Sequence, residues 1–194
     1  MKFTTRQICY IAIMTAITGA LSILSIPTPW GVPFTLQTFC VALCGYLLGR
    51  RDGTIAILLY IVIGTIGVPV FAGFSSGPGV IAGPSGGYII GFIFMAFLCG
   101  FGSYFYEKVA SNKILGMILA VVFGLIGLAV CHGIGIVQLK NVAKLDWVYA
   151  ASVGSVPYLL KDIISTVGAF AISLVLKRAL SAAHLWEPKS VPEA

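Results

Sequence analysis

Charged side chains are scarce in this sequence of 194 residues: 9% are Asp, Glu, Lys or Arg, whereas soluble globular domains contain roughly 25%. So few ionic groups cannot solvate a folded surface in water. Apolar residues make up 59% of the chain, and its mean hydropathy is +1.03. This composition suits a lipid bilayer as solvent, and it predicts an all-α, multi-pass protein of the cell membrane.

The sequence also lacks the motifs of several functional classes. Its basic residues lie in pairs at the ends of apolar segments and form no continuous stripe, which argues against nucleic acid as a partner. No glycine-rich stretch continues into the Gly-Lys-Ser/Thr of a phosphate-binding loop, so we expect no nucleotide hydrolysis. Cys40 and Cys44 are one helical turn apart, and Cys131 precedes His132. Nothing else completes a ligand set, and we expect buried thiols, a core histidine and no metal site.

Six apolar segments approach the length of about 20 residues that a membrane-spanning helix needs. Prolines end some of these segments, and charged residues end others. The predicted spans are Ile8 to Ile26, Thr35 to Gly49, Thr54 to Val68, Gly86 to Tyr106, Ile114 to Val137 and Val156 to Arg178. We therefore predict one domain of six transmembrane helices over residues 1–178, followed by a polar cytoplasmic tail over residues 179–194.

The basic residues predict how these spans are oriented, because Lys and Arg concentrate in cytoplasmic loops. Most of them fall in alternate gaps, on the side that holds both termini: Lys2, Arg6, Arg50, Arg51, Lys108, Lys113, Lys177, Arg178 and Lys189. The opposite side holds Lys140, Lys144 and Lys161. Both termini are therefore predicted to be cytoplasmic.

Two loops on the predicted outer side, residues 27–34 and 69–85, contain no charged residue. The second is rich in glycine, which lets backbone approach a ligand closely. Non-helical backbone at membrane depth needs protein or a cavity beside it to satisfy its polar groups. We expect these loops to pack over a ligand pocket, the alternative being a loop that folds on itself.

The last predicted span contains an adjacent pair of charged residues, Lys161 and Asp162. An ionisable group inside the membrane is costly and usually has a function. Tyr158, Ser165 and Thr166 share a helical face with Asp162, so this face is expected to point inward. Lys161 is rotated by about a quarter turn. It reaches either the same cavity or the lipid headgroups.

Three stretches closely resemble the BioY family, in the family's order and spacing. They are Val-Pro-Phe-Thr-Leu-Gln-Thr at 32–38, Gly-Val-Pro-Val-Phe-Ala-Gly at 67–73 and Gly-Pro-Ser-Gly-Gly-Tyr-Ile-Ile-Gly-Phe at 83–92. The resemblance implies a biotin-binding substrate-capture subunit of an energy-coupling factor (ECF) transporter, with its pocket near the outer face. It also implies a transmembrane coupling subunit and two cytoplasmic ATPases as partners. Neither catalysis nor a cofactor is implied.

The last helix departs from the family pattern Pro-aromatic-x-Pro-Gly-Asp-x-x-Lys. Asp162 matches the aspartate, but Ser165 stands at the position of the lysine and Lys161 at that of the glycine. The identity of the cation that would bind the biotin carboxylate is therefore open.

The chemistry of biotin suggests roles for the residues of such a pocket. An acidic acceptor suits the ureido N–H groups, and we assign Asp162 to one of them; Lys161 is assigned to the carboxylate, helped by backbone amides at a helix start. Aromatic rings are assigned to the apolar body, while Gln37 and Ser85 are secondary candidates for the ureido oxygen. The predicted ligand-binding residues are Asp162, Lys161, Tyr88, Phe71, Phe74, Ser85, Gly86, Gly87, Gln37 and Tyr158.

Ala12, Ala16 and Ala20 form a row of small residues on the first helix, and the resemblance implies that such a row contacts the coupling subunit. Alanines at this spacing are also common in any packed membrane helix. Two other functions were considered. A proton-coupled secondary transporter would use Asp162 as proton carrier and need no ATPase. An intramembrane enzyme with a Cys131–His132 dyad is disfavoured, since adjacent helical residues point about 100° apart.

Overall fold

The computed structural model describes residues 3–109 and 112–186, most of which are helical. Lys2, Lys189 and the predicted tail beyond residue 186 lie outside the described residues. The elements in chain order are α1 (Thr5–Ile23), β1 (Ser25–Ile26), β2 (Phe34–Thr35), α2 (Gln37–Thr65), a 3₁₀ turn (Ala72–Phe74), α3 (Pro78–Ala82), α4 (Gly86–Lys108), α5 (Lys113–Ala143), α6 (Trp147–Gly154) and α7 (Val156–Ala182).

Helix α1 begins and ends three residues earlier than the sequence predicted. At its start, the side chain of Thr4 accepts a hydrogen bond from the Gln7 amide and the side chain of Gln7 accepts one from the Thr4 amide. This reciprocal capping box fixes the helix start. Beyond α1 the chain is extended, and β1 pairs antiparallel with β2, with Ser25 opposite Thr35. The all-α prediction did not include this short ribbon.

Helix α2 is a hairpin of two arms, residues 37–48 and 50–65, joined at Gly49. Gly49 has φ 85° and ψ 174°, a conformation that favours glycine. The Gln37 amide donates a hydrogen bond of 2.8 Å to the hydroxyl of Tyr60, although 23 residues of straight helix would separate them by about 35 Å. A Cβ at Gly53 would lie 2.9 Å from the Cα of Gly45. The arms are therefore antiparallel, as the second and third predicted spans require.

Four helices of the described residues, α1, α4, α5 and α7, are long and apolar enough to cross a membrane. The arms of α2 are each shorter, and Arg50, Arg51 and Asp52 interrupt the apolar sequence where they meet. The chain is thus a mostly helical, multi-pass membrane protein. Large apolar side chains such as Ile13, Ile118 and Val175 are exposed on the outside of the bundle, where lipid is their solvent.

Helix α2 occupies the middle of the bundle, where it packs against α1, α4 and α7, while α4 also packs along α5. Tyr46 in the first arm is fully buried, and its hydroxyl donates to the carbonyl of Ala120 at 3.0 Å. The hydroxyl of Ser103 donates to the carbonyl of Tyr46 at 2.9 Å. Buried polar groups in this core therefore have partners within the protein.

Helices α5 and α7 extend beyond their predicted ends. The sequence analysis ended the fifth span before the polar Gln138, but the side-chain amide of Gln138 donates to the carbonyls of Ile81 and Gly83 at 2.6 and 2.8 Å. Because these bonds satisfy the amide, α5 continues to Ala143. Helix α7 continues to Ala182, four residues beyond the predicted end of the sixth span at Arg178.

Candidate functional site

A cavity of about 420 Å³ lies at one end of the bundle, a volume within the range of small-molecule sites. It is lined by residues 31–35, the start of α2, residues 71–85, the start of α4, the middle of α5 and the start of α7. We call it the Asp162 cavity. The predicted ligand-binding residues that line it are Gln37, Phe71, Ser85, Tyr88, Tyr158, Lys161 and Asp162.

Asp162 is the centre of a buried polar cluster in this cavity. Its side chain is only 6% exposed, and Oδ1 lies 2.5 Å from Nζ of Lys161. Oδ2 lies 3.2 Å from Nε2 of His132, whose Nδ1 lies 2.8 Å from the hydroxyl of Ser155. A buried carboxylate needs such compensation, since desolvation costs several kcal/mol. The cluster therefore ties α5 to α7 through the carboxylate.

Lys161 reaches the cavity rather than the lipid headgroups. Besides its contact with Asp162, its ammonium group donates to the carbonyl of Thr35 at 2.8 Å. The same group lies 5.6 Å from the centroid of the Phe34 ring, a favourable position for a cation. The structure thus decides between the two orientations that the sequence left open.

Two tyrosines form walls of the cavity, and their hydroxyls are anchored to backbone. The hydroxyl of Tyr88 donates to the carbonyl of Gly154 at 2.7 Å, and that of Tyr158 donates to the carbonyl of Val32 at 2.5 Å. The ring of Phe34 packs on Tyr158 with centroids 4.6 Å apart. Each hydroxyl has a protein partner, which leaves the rings as an apolar surface for a ligand.

Gln37 lies at the cavity, but the protein engages both ends of its amide. Its nitrogen donates to Tyr60, and its oxygen accepts a hydrogen bond of 2.9 Å from the hydroxyl of Thr35. A primary amide carries two N–H donors. One donor therefore remains beyond the bond to Tyr60.

Three predicted ligand-binding residues do not line the cavity. Phe74 is 68% exposed, whereas Phe71 is 1% exposed and does line it. Gly73 and Phe74 both have positive φ, 63° and 60°, so the chain turns sharply here and the two rings have opposite surroundings. No residue pattern in the sequence predicts this turn. The ring of Phe74 lies outside the cavity lining, and its assignment to a ligand stays a prediction.

Gly86 and Gly87 are buried against a neighbouring helix instead of facing the cavity. A Cβ at Gly87 would lie 2.6 Å from the carbonyl oxygen of Ile134 in α5, and the Gly86 amide already donates to the carbonyl of Gly83 at 3.1 Å. These glycines allow α4 to pack closely on α5. Neither glycine lines the cavity, and the assignment of their amides to a ligand stays a prediction.

His132 is the functional candidate that the sequence analysis missed. It was interpreted as a core histidine, yet it lines the cavity and contacts Asp162. The available signal was that an aspartate inside a span needs donors, and His132 is a polar side chain within the fifth predicted span. Within the described residues, no group of three or more His, Cys, Asp or Glu could hold a metal ion.

Ala12, Ala16 and Ala20 lie along one exposed face of α1. The opposite face of the helix is buried and includes Ile11 and Met14. The three alanines are therefore not buried by packing within this chain, and they are accessible to lipid or to another membrane protein.

Together, the bundle and its partly polar cavity define a helical membrane protein that can enclose a small ligand near one end. Over residues 1–182 the sequence matches the model of the BioY family. The chain belongs to that family, which confirms the resemblance found in the sequence. Members of this family are transport proteins, so the prediction that the chain is not an enzyme is confirmed.

Relatives cover nearly the whole chain. The biotin transporter BioY of Thermotoga maritima is 38% identical over 173 residues, which are 89% of this chain and 96% of the relative. The biotin transporter BioY of Rhizobium etli is 34% identical over 184 residues, 91% and 94% of the two chains. Among solved structures, the crystal structure of the S-component for biotin from an ECF-type ABC transporter is 27% identical and has a TM-score of 0.78. That match covers 91% of this chain and 95% of the other.

Proposed function

We propose that this chain captures biotin at the outer face of the cytoplasmic membrane, as the substrate-binding subunit of an ATP-driven ECF-type transporter. The observation that carries the proposal is the buried Asp162 carboxylate in a cavity of about 420 Å³, in a chain whose relatives are biotin transporters. An apolar pocket with a few polar groups at one end suits a bicyclic ligand with a ureido group.

Biotin binding would exchange the partners of one ion pair. In the structure Lys161 neutralises Asp162, with Nζ 2.5 Å from Oδ1. Biotin is elongated, with its ureido group and carboxylate at opposite ends, so two side chains in contact cannot serve both ends at once. We propose that a ureido N–H replaces Lys161 on Asp162, while Lys161 moves to the ligand carboxylate. The side chain of Lys161 is 26% exposed and long, which permits the movement.

The apolar body of biotin would lie against Phe71 and the two anchored tyrosines, Tyr88 and Tyr158. Ser85 and the remaining donor of Gln37 are proposed for the ureido oxygen. His132 would hold the carboxylate of Asp162 in place from the side opposite Lys161. No cofactor takes part, since biotin is the transported ligand and ATP would be used by partner subunits.

We further propose six membrane crossings with both termini in the cytoplasm. The antiparallel arms of α2 supply the second and third crossings, and the basic residues on the side of the termini support the orientation. The domain then spans residues 1–178, with the cytoplasmic tail beyond it. Reporters fused after Arg51 or Lys113 should report cytoplasm, and insertions after Trp30 or Lys144 should report the outside; a reversed site contradicts this topology.

The proposed partners are a transmembrane coupling subunit and two cytoplasmic ABC-type ATPases. The exposed row of Ala12, Ala16 and Ala20 is the proposed contact with the coupling subunit. Ala16→Trp should therefore abolish assembly and uptake but leave biotin binding nearly intact. Ala171→Trp, at an exposed position of α7, is the matched control and should assemble normally.

Calorimetry of the purified chain tests the ligand directly. Biotin should bind, whereas other vitamins at the same concentration should not; preferential binding of another vitamin would refute the assignment. Uptake by cells with and without the coupling subunit and ATPases then tests the energy source. Uptake that persists without them, and that collapses with the proton gradient, would favour the proton-coupled secondary transporter.

A further inference from the structure

A second cavity, of about 440 Å³, lies at the opposite end of the bundle. It is bounded by the start of α1, the reversal of α2, the last turns of α4 and α7, and Trp186. None of its lining residues lines the Asp162 cavity. The charged side chains around it are Arg50, Arg51, Asp52, Glu107 and Lys177, and we call it the Arg50 cavity.

Two guanidinium groups at this cavity are held by aromatic rings. The Cζ atom of Arg50 lies 4.8 Å from the ring centroid of Phe101 and 5.5 Å from that of Tyr104. The Cζ atom of Arg51 lies 4.3 Å from the ring centroid of Phe3. Such contacts hold the face of the guanidinium while leaving its N–H edge for an anion.

The acidic groups at the cavity have other partners. Glu107 Oε1 lies 2.7 Å from Nζ of Lys177, which also donates to the hydroxyl of Ser103 at 2.7 Å. Asp52 accepts a hydrogen bond of 3.3 Å from the side chain of Gln7. Among the described residues, neither Arg50 nor Arg51 has a carboxylate within 4.0 Å. The cavity lining therefore carries one net positive charge, from three basic and two acidic side chains, and neither guanidinium group forms an ion pair with either acid.

We propose that the Arg50 cavity binds the phosphodiester headgroup of an anionic phospholipid. A guanidinium donates two parallel hydrogen bonds to phosphate oxygens, and basic pockets between transmembrane helices bind anionic headgroups in this way. The apolar part of the lining, which includes Leu47 and Leu48, suits the glycerol and the first methylenes of the acyl chains. A bound headgroup would connect the α2 reversal to the ends of α4 and α7. This site does not depend on what the Asp162 cavity binds.

Thermal unfolding of the purified chain in a neutral detergent tests the site. Short-chain phosphatidylglycerol should raise Tm progressively with its concentration, by roughly 5–10 °C at about 100-fold above Kd, and phosphatidylcholine of the same chain length should not. Inorganic phosphate at equal concentration should give a smaller shift, since it lacks the acyl contacts. An equal increase in Tm with phosphate would mean that the site binds a soluble anion and would refute the lipid. An equal increase with phosphatidylcholine would refute an anionic headgroup site.

The double variant Arg50→Gln/Arg51→Gln should lose the shift with phosphatidylglycerol. Lys113→Gln/Arg178→Gln is the matched control, because it removes two exposed basic residues that do not line the cavity, and it should keep the full shift. If both variants lost the increase in Tm equally, the lipid would be responding to the overall surface charge, and the proposal would be overturned.

Native mass spectrometry provides a readout that does not require the variant to be as stable as the parent. The parent should retain one phosphatidylglycerol and the Arg50→Gln/Arg51→Gln variant none. Arg50→Lys, which keeps the charge but loses the planar fork, should retain less lipid than the parent. Full retention by the double variant would exclude the two arginines as the site.

Discussion

The two cavities of this bundle compensate their charges in different ways. In the Asp162 cavity, charge is balanced by direct contact: Asp162 lies between Lys161 and His132 and is almost completely buried. In the Arg50 cavity, Arg50 and Arg51 lie over aromatic rings, and among the described residues no carboxylate is within 4.0 Å of either guanidinium group. A charge within a span has only protein atoms as partners, whereas a charge at a helix end also has water and headgroups.

This comparison predicts that losing an acid matters far more in the first cavity than in the second. Asp162→Ala should weaken biotin binding by about tenfold to over a hundredfold, because a charge-assisted hydrogen bond contributes roughly 1.5–3 kcal/mol. It should also lower the free energy of unfolding by about 3 kcal/mol, since Lys161 loses its buried partner. Calorimetry and thermal unfolding measure the two effects.

Glu107→Gln is the counterpart in the second cavity. The side chain of Glu107 is 40% exposed, so its loss should change the free energy of unfolding by about 1 kcal/mol at most and leave biotin binding unchanged.

Asp162→Asn should lose less affinity for biotin than Asp162→Ala, because its amide oxygen can still accept a hydrogen bond. Unchanged affinity in Asp162→Ala would refute its role with the ureido group.

Phe71 and Phe74 should contribute differently to stability, because Phe71 is buried and Phe74 is exposed. Phe71 packs against Tyr60, with ring centroids 5.5 Å apart and nearly perpendicular planes. Phe71→Ala should lower the free energy of unfolding by about 3 kcal/mol and weaken biotin binding. Phe74→Ala should stay within about 0.5 kcal/mol of the parent. A larger effect of Phe74→Ala would show that its ring packs against the protein in solution.

The proposed exchange of ion-pair partners predicts a dependence on the charge of the ligand. Lys161→Ala should weaken biotin about tenfold more than it weakens the uncharged amide of biotin, because only biotin offers Lys161 a carboxylate. Any effect of leaving Asp162 without Lys161 is common to both ligands, so it cancels when the loss of affinity for biotin is divided by the loss of affinity for the amide. Equal losses in calorimetry would mean that Lys161 does not bind the carboxylate.

The smallest expected effect concerns His132, which holds Asp162 without contacting the ureido ring in our proposal. His132→Phe removes both hydrogen bonds of the imidazole and should weaken biotin by about three- to tenfold. Ser155→Ala removes only the hydrogen bond between Ser155 and Nδ1 of His132, so it should weaken biotin binding less than His132→Phe does. If Ser155→Ala were as damaging as His132→Phe, the hydroxyl of Ser155 would itself be part of the site.

The sequence predicted those parts of the structure that depend on local pattern. Apolar length and charge located the long helices but not the short helices α3 and α6, and the cost of a charge in lipid identified Asp162 as an inward-facing residue. The contact between Asp162 and His132 joins residues 30 positions apart, and it depends on how α5 and α7 pack. No pattern along the chain encodes that packing.

The same reasoning explains why three predicted ligand-binding residues lie outside the cavity lining. Gly86 and Gly87 were assigned to the ligand through backbone amides at a helix start, but the sequence does not say which element packs against them. The structure shows α5 there. Phe74 was assigned by residue type, and its direction depends on the backbone conformation of Gly73 and Phe74.

The ion pair of Lys161 and Asp162 has a consequence for the electrical work of uptake. The two charges cancel, so a bound anionic biotin would add one negative charge that the pair does not compensate. Moving one such charge through a membrane potential of 100 mV requires about 2.3 kcal/mol when the cell interior is negative. The membrane voltage would therefore oppose the delivery of biotin to the cytoplasm, and the proposed ATPases would have to supply this electrical work as well as the work of concentrating the ligand.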